Sequence, residues 1–182
     1  MLTKVIPDNL QSLVGYLDNL DQRASVPKLR ELLTESGTTF GDLASFAEFS
    51  EAGYTRNLVC EGPWYHLLVL CWRSGQRSPI HNHAESTCGV KVLKGIATET
   101  AFTPTPCGQM KAVASTDLLE GQICAAQDAD THQISNMQAA EQDLVTMHIY
   151  SPPLTKMEQY SITGSAPQSY VPTPVYIDGG GI

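Results

Sequence analysis

The chain has no cysteines spaced CxxC, an odd total of five cysteines, and no apolar run near the ~18–20 residues of a membrane span. The first two absences argue against a disulfide framework or zinc ribbon for Cys60, Cys71, Cys88, Cys107 and Cys124. The third argues against a membrane protein. Basic residues are scarce as well: 11 lysines and arginines stand against 19 acids, a formal charge of −8. Nucleic-acid backbones and anionic membrane surfaces select a basic face, so neither is expected as a partner. The amino terminus, MLTKVIPDNLQS, lacks the apolar core and small-residue cleavage site of a secretory signal, so a reducing cytoplasm is expected. There is no internal repeat and no low-complexity tract.

What is present suits a globular protein. With 42% hydrophobic and 16% charged residues over 182 positions, one domain spanning 1–182 is expected. Its first fifty residues read as helical. Leu10, Leu13, Val14, Leu17 and Leu20 recur at helical spacing; a second helix starts near Pro27, carries Leu29, Leu32 and Leu33, and stops by Gly37. A short third helix carries Phe40, Leu43, Phe46 and Phe49. From 54 to 153 the texture changes to short apolar or β-branched runs: YTRNLVC, HLLVLCW, GVKVL, IATETAFT, MKAVAS, QICAA and DLVTMHIY. Turn residues separate them, which predicts a mainly β jelly-roll barrel with the amino-terminal helices packed on it. Residues 154–182, ending GGGI, are expected as an extended tail over the surface.

There are only five histidines: His66, His81, His83, His132 and His148. On a strand, His81 and His83 at i and i+2 share a face, so both imidazoles can reach one metal ion. Gly75, five residues, His81, one residue, His83, four residues, Cys88, six residues, Gly95 resembles the first motif of the cupin superfamily. Cys88 stands where that motif has glutamate. Further on, Gly121, Gln127, Ala129, His132 and Asn136 keep the spacing of the second motif, with Gln127 and Ala129 in place of its proline and glycine. His81, His83 and His132 are therefore the expected metal ligands, with no protein anion; Glu85 falls between the slots and is expected to stay solvated. Imidazole suits Fe, Zn, Cu and Ni alike. A divalent ion keeps its full charge at such a site, which suits an incoming substrate thiolate or an acidified water.

Two further segments put polar groups on one strand face. In DLVTMHIY, Thr146, His148 and Tyr150 alternate with Val145, Met147 and Ile149. A titratable face on an apolar strand is costly unless it lines a cavity. In GYTRNLV, Tyr54 and Arg56 share a face, and an arginine there can hold a carboxylate through two hydrogen bonds.

YTRNLV, LLVLCW, IHNHAESTC with its following KVLKG, and HIYSPP, in this order and at these separations, resemble the cysteine dioxygenases, thiol dioxygenases of the cupin superfamily. The likeness runs from about residue 8 to about residue 155. It implies Fe(II) held by His81, His83 and His132, and a thioether crosslink between Cys88 and the ring of Tyr150. It also implies Arg56 on the substrate carboxylate with Tyr54 nearby, and His148 hydrogen-bonded to the Tyr150 hydroxyl. The six-residue spacing to Gly95 puts Cys88, rather than Gly89, in the crosslinking slot. The implied reaction adds O2 to the sulfur of L-cysteine to give cysteine sulfinic acid, performed by a monomer. A 3-mercaptopropionate dioxygenase and a non-catalytic metal-binding sensor are the alternatives; the YTRN placement of Arg56 favours cysteine.

Overall fold

The computed structural model describes residues 5–127, 131–164 and 166–175. Three helices precede the strands: α1 (Gln11–Asp18), which continues a single 3-10 turn at Asp8–Leu10, α2 (Val26–Glu35) and α3 (Phe40–Leu43). The leucine periodicity explains their orientation. Leu10, Leu13 and Leu17 from the first, and Leu29, Leu32 and Leu33 from the second, are all buried. Pro27 lies in the first turn of α2, and Gly37 follows its end at φ +57°, a left-handed conformation that glycine adopts without penalty. Thr39 and Asp42 form a reciprocal capping box at α3. No helix of the described residues is long and apolar enough to cross a membrane.

Among the described residues eleven strands follow: β1 (Thr55–Gly62), β2 (Tyr65–Trp72), β3 (Ile80–His81), β4 (Thr87–Lys94), β5 (Ile96–Pro104), β6 (Met110–Leu119), β7 (Ile123–Gln127), β8 (His132–Ser135), β9 (Leu144–Ser151), β10 (Met157–Tyr160) and β11 (Gln168–Tyr170). They form a five-stranded sheet in the order β1-β2-β9-β4-β7 and a six-stranded sheet in the order β11-β10-β3-β8-β5-β6. All pairings between these strands are antiparallel. The mainly β architecture with helices packed on it agrees with the sequence pattern.

The five-stranded sheet separates two cores. Leu67, Val69 and Cys71 of β2, with Val145, Met147 and Ile149 of β9, pack beneath the helices. Their alternates Leu68, Leu70 and Trp72, with Leu144 and Tyr150, face the second sheet and join Val90, Val92 and Ile134 there. Both strands are thus buried on both faces, which is why they read as continuous apolar runs. Polar ties fix the helical layer: the Thr87 hydroxyl donates to the Ala24 carbonyl (2.9 Å), and the Ala24 amide donates to Ser151 Oγ (2.9 Å). The segment expected as an extended tail supplies β10 and β11. Beyond them, Val175 bridges to β1, its amide donating to the Arg56 carbonyl (2.7 Å).

Gly89 is where β4 meets α2. A Cβ there would lie 2.9 Å from Leu33 Cδ1 and 3.6 Å from Leu29 Cδ1, both in fully buried side chains. Gly89→Val is expected to destabilise the fold by about 1–3 kcal/mol through overpacking. A urea midpoint equal to that of the unaltered chain would show that α2 shifts without cost.

Candidate metal centre

β3 is only two residues long, yet its register against β8 places His81 directly opposite His132. His83 arrives by another route. The chain leaves the strand at Asn82, whose side chain donates outward to Glu158 Oε2 and Tyr160 Oη (both 3.1 Å), and turns back through Ala84 (φ 46°) and Glu85 (φ 71°). One potential ligand atom from each of His81, His83 and His132 lies within 4.8 Å of the others. Among the described residues this is the only group of three or more histidines, cysteines or acids so arranged.

All three rings are buried. Burial, then the neighbouring imidazoles, pushes His81 down to about 3 and His83 well below its usual value, so both are neutral and keep a lone pair for a metal. Their outer partners select which nitrogen carries it. The carbonyl of Pro79 can only accept, so His81 Nδ1–H donates to it (2.9 Å) and Nε2 is the free donor atom. His132 Nδ1 meets the carboxylate of Glu99, a hydrogen bond that also holds Glu99 below the ordinary carboxylate range. Three clustered imidazoles, two of them oriented by an acceptor behind the ring, fit a divalent metal ion.

Glu99 was not among the expected site residues. Among the described residues no carboxylate belongs to the three-ring group, but an anion stands directly behind one of its rings. Glu99 lies on the same face of β5 as buried Ala97, so strand alternation was the available signal. Glu85, expected to be solvated, is exposed and outside the group. Ala129 lies outside the described residues. His66, the fifth histidine, pairs instead with Glu61 at 3.2 Å.

Beside the rings lies a small space of about 10 Å³, bordered by Tyr54, Arg56, Trp72, Cys88, His148 and Tyr150 among others. Arg56, on β1, is 5% exposed, and its Nε and Nη2 atoms have no hydrogen-bond partner. Burial works against its charge, but Tyr150 and Tyr54 outweigh that and hold its pKa above the usual value. A buried cation with unused donors is set up to receive an anion. Tyr54 stacks on Trp72, ring centroids 4.2 Å apart and planes 10° from parallel.

A buried hydrogen-bond chain fixes the proton positions along β9. Trp72 Nε1–H can only donate and reaches Thr146 Oγ1 at 3.1 Å. The Thr146 side chain is fully buried, and its own proton goes to the other partner in reach, His148 Nε2 (2.9 Å). Burial, then Arg56, pushes His148 well below its usual value, so the ring is neutral. Its one proton therefore sits on Nδ1, which donates to Tyr150 Oη at 3.0 Å. The Tyr150 hydroxyl, raised above its usual pKa mainly by burial, keeps its proton free to point at the pocket. Cys88 is the direct cross-strand neighbour of Tyr150. Burial raises its thiol pKa, and Gly89 faces the helices instead. Trp72 was expected only as part of an apolar run; its indole donor is the group that anchors the chain.

Comparisons with known proteins agree with this geometry. The family model "Cysteine dioxygenase type I" matches residues 7–163. Cysteine dioxygenase type 1 of Danio rerio is 35% identical over 154 residues, covering 81% of this chain and 76% of the relative. The Homo sapiens protein of the same name is 31% identical over 153 residues with the same coverage. Among solved structures, an uncharacterized double-stranded β-helix protein from Klebsiella pneumoniae aligns with TM-score 0.51 at 17% identity, over 72% of this chain and 94% of that one. That likeness supports the cupin-type barrel alone. With a match that runs from the first helical turn into the segment after β10, the chain belongs to the cysteine dioxygenase type I family.

Proposed function

We propose that this chain is an Fe(II)-dependent enzyme that adds both atoms of O2 to the sulfur of L-cysteine, giving cysteine sulfinic acid. Family membership supports the reaction class, and the unpartnered Nε and Nη2 of Arg56 beside three clustered histidines carry the substrate reading. Ferrous iron on His81, His83 and His132 supplies the Lewis acidity that holds a thiol as thiolate and the redox chemistry between O2 and sulfur. Arg56 takes the carboxylate on its two unused donors. Tyr54, stacked on Trp72 and bordering the same pocket as Arg56, helps keep the guanidinium in place. His148 holds the Tyr150 hydroxyl so that its proton is offered into the pocket, and Thr146 and Trp72 hold His148. Glu99 keeps His132 in the tautomer that leaves Nε2 for the metal.

The same reading includes a thioether between Cys88 and Tyr150. Joining Sγ to a ring carbon removes the thiol hydrogen and one ring hydrogen, with two electrons, and O2 is the acceptor. The pairing of the two residues across β4 and β9 favours it. Residues 1–182 act as one domain and as a monomer, in a compartment reducing enough to supply free cysteine; none of the five cysteines is in a disulfide.

The deciding test is O2 uptake by the iron-loaded chain with L-cysteine and with 3-mercaptopropionate. One sulfinate per O2 with cysteine is expected; preference for 3-mercaptopropionate moves the substrate, and no uptake by iron-loaded protein favours the sensor. In the same assay, Arg56→Ala is expected to raise the KM for cysteine about 10-fold to 100-fold while retaining iron. An unchanged KM would remove Arg56 from the carboxylate.

For the crosslink, intact-mass spectrometry of protein incubated with Fe(II), O2 and cysteine should show a loss of two hydrogens that Cys88→Ser abolishes. A full, unshifted mass in the unaltered chain would remove the thioether from the scheme. Glu99→Gln should weaken Fe(II) binding by about 10-fold to 100-fold in a chelator competition. Equal affinity would show that Glu99 leaves His132 unaffected.

A further inference from the structure

Among the described residues β6 and β7 are each an edge strand of their sheet, and both line one cavity. This second cavity, of about 230 Å³, opens to solvent. Its mouth is formed by Ala114 and Thr116 of β6, which line it and yet are exposed, and its floor by His83 and His132. The walls are aliphatic or small, with Leu118, Ile134 and Ala126 among them. Glu99 is the one charged residue in the lining, and it is already hydrogen-bonded to His132.

The cavity and the Arg56 pocket share His83, Cys88, Val90, His132 and Ile134 as a common wall, whereas Arg56 and Tyr54 border only the pocket. That division sorts the two reactants. An amino acid carries a carboxylate, which in the cavity would meet the Glu99 anion and no cation. In the pocket it meets Arg56. The free space there is about 10 Å³, about that of a single water, against about 230 Å³ in the cavity, so the wider approach to the shared histidines lies on the cavity side. An apolar diatomic gains from an apolar lining, and aliphatic protein cavities take up xenon and other apolar guests.

Resting on the dioxygenase reading, we propose that the cleft between β6 and β7 is the O2 site and entrance, approaching the metal histidines from the side away from Arg56. Two measurements test it. Crystals pressurised with xenon should show the gas in the cleft, near Leu118 and Ile134; a cleft empty of xenon overturns the proposal whatever the enzyme's substrate. Kinetically, Ala114→Phe and Thr116→Phe plug the mouth one strand away from the β5 residues that face the histidines. Each is expected to lower kcat/KM for O2 about fivefold or more, with the KM for cysteine and the iron content unchanged. Val113→Phe, on the opposite face of β6 and 57% exposed, is the control and should change nothing.

An equal rise in the KM for cysteine would make the cleft the thiol's entrance, and unchanged kinetics in both plugged variants would remove it from the route; either overturns the proposal. Absence of cysteine-dependent uptake by the unaltered enzyme would instead overturn the reaction assignment, and xenon occupancy would then decide the cleft on its own.

Discussion

The register of β9 is the constraint on which the site depends. Its odd-numbered residues, Val145, Met147 and Ile149, form the floor of the helical core, while Thr146, His148 and Tyr150 face the barrel interior. A slip of one residue would drive His148 and Tyr150 under the helices and turn three aliphatic side chains toward the metal ligands. Burial on both faces makes that slip prohibitive on either side. Local ties hold the setting as well. Arg73 donates from Nη1 to both carboxylate oxygens of Asp143 (3.1 Å each) just ahead of the strand, and Trp72 holds Thr146 from the neighbouring one.

Electrostatically, the interior favours neutral rings at His81, His83 and His148 and a charged guanidinium at Arg56. Burial strips protons from His81, His83 and His148, whereas two phenols keep Arg56 cationic against the same burial. The compensating negative charge is placed at the rim. Glu99, whose side chain is 25% exposed, touches water on one side and His132 on the other. A carboxylate at that distance strengthens a ligand without occupying a coordination position, which leaves those positions for the reactants.

Much of this was legible in the sequence because strand alternation is a rigid rule. The polar face of DLVTMHIY projects to one interior as alternation requires, and His81, His83, His132, Tyr54 and Arg56 meet it there, although His83 lies past the end of β3 and Tyr54 just ahead of β1. The same rule applied to IATETAFT exposes Glu99, an acid on the face that also carries Ala97 and Ala101; the low apolar content of that run hid it. β3 and β8 were not legible, since two and four residues carry no period and their pairing joins distant parts of the chain. The strands after Leu154 were masked likewise. Glycine, proline and serine there suggest loose chain, and only the available edge of β3 makes a partner for β10.

That edge has a consequence for the order in which the molecule is made. β3 carries His81, and its two neighbours, β8 and β10, are both translated later. Until the ribosome has released Tyr160, the strand lacks one side of its hydrogen bonding, and until Val175 emerges, the Arg56 backbone lacks its last partner. Contacts this distant in sequence close late in folding. The nascent chain can bury its helices on β2 early, but His81, His83 and His132 can come together only once β8 has emerged, and the edge of β3 is closed later still, by β10.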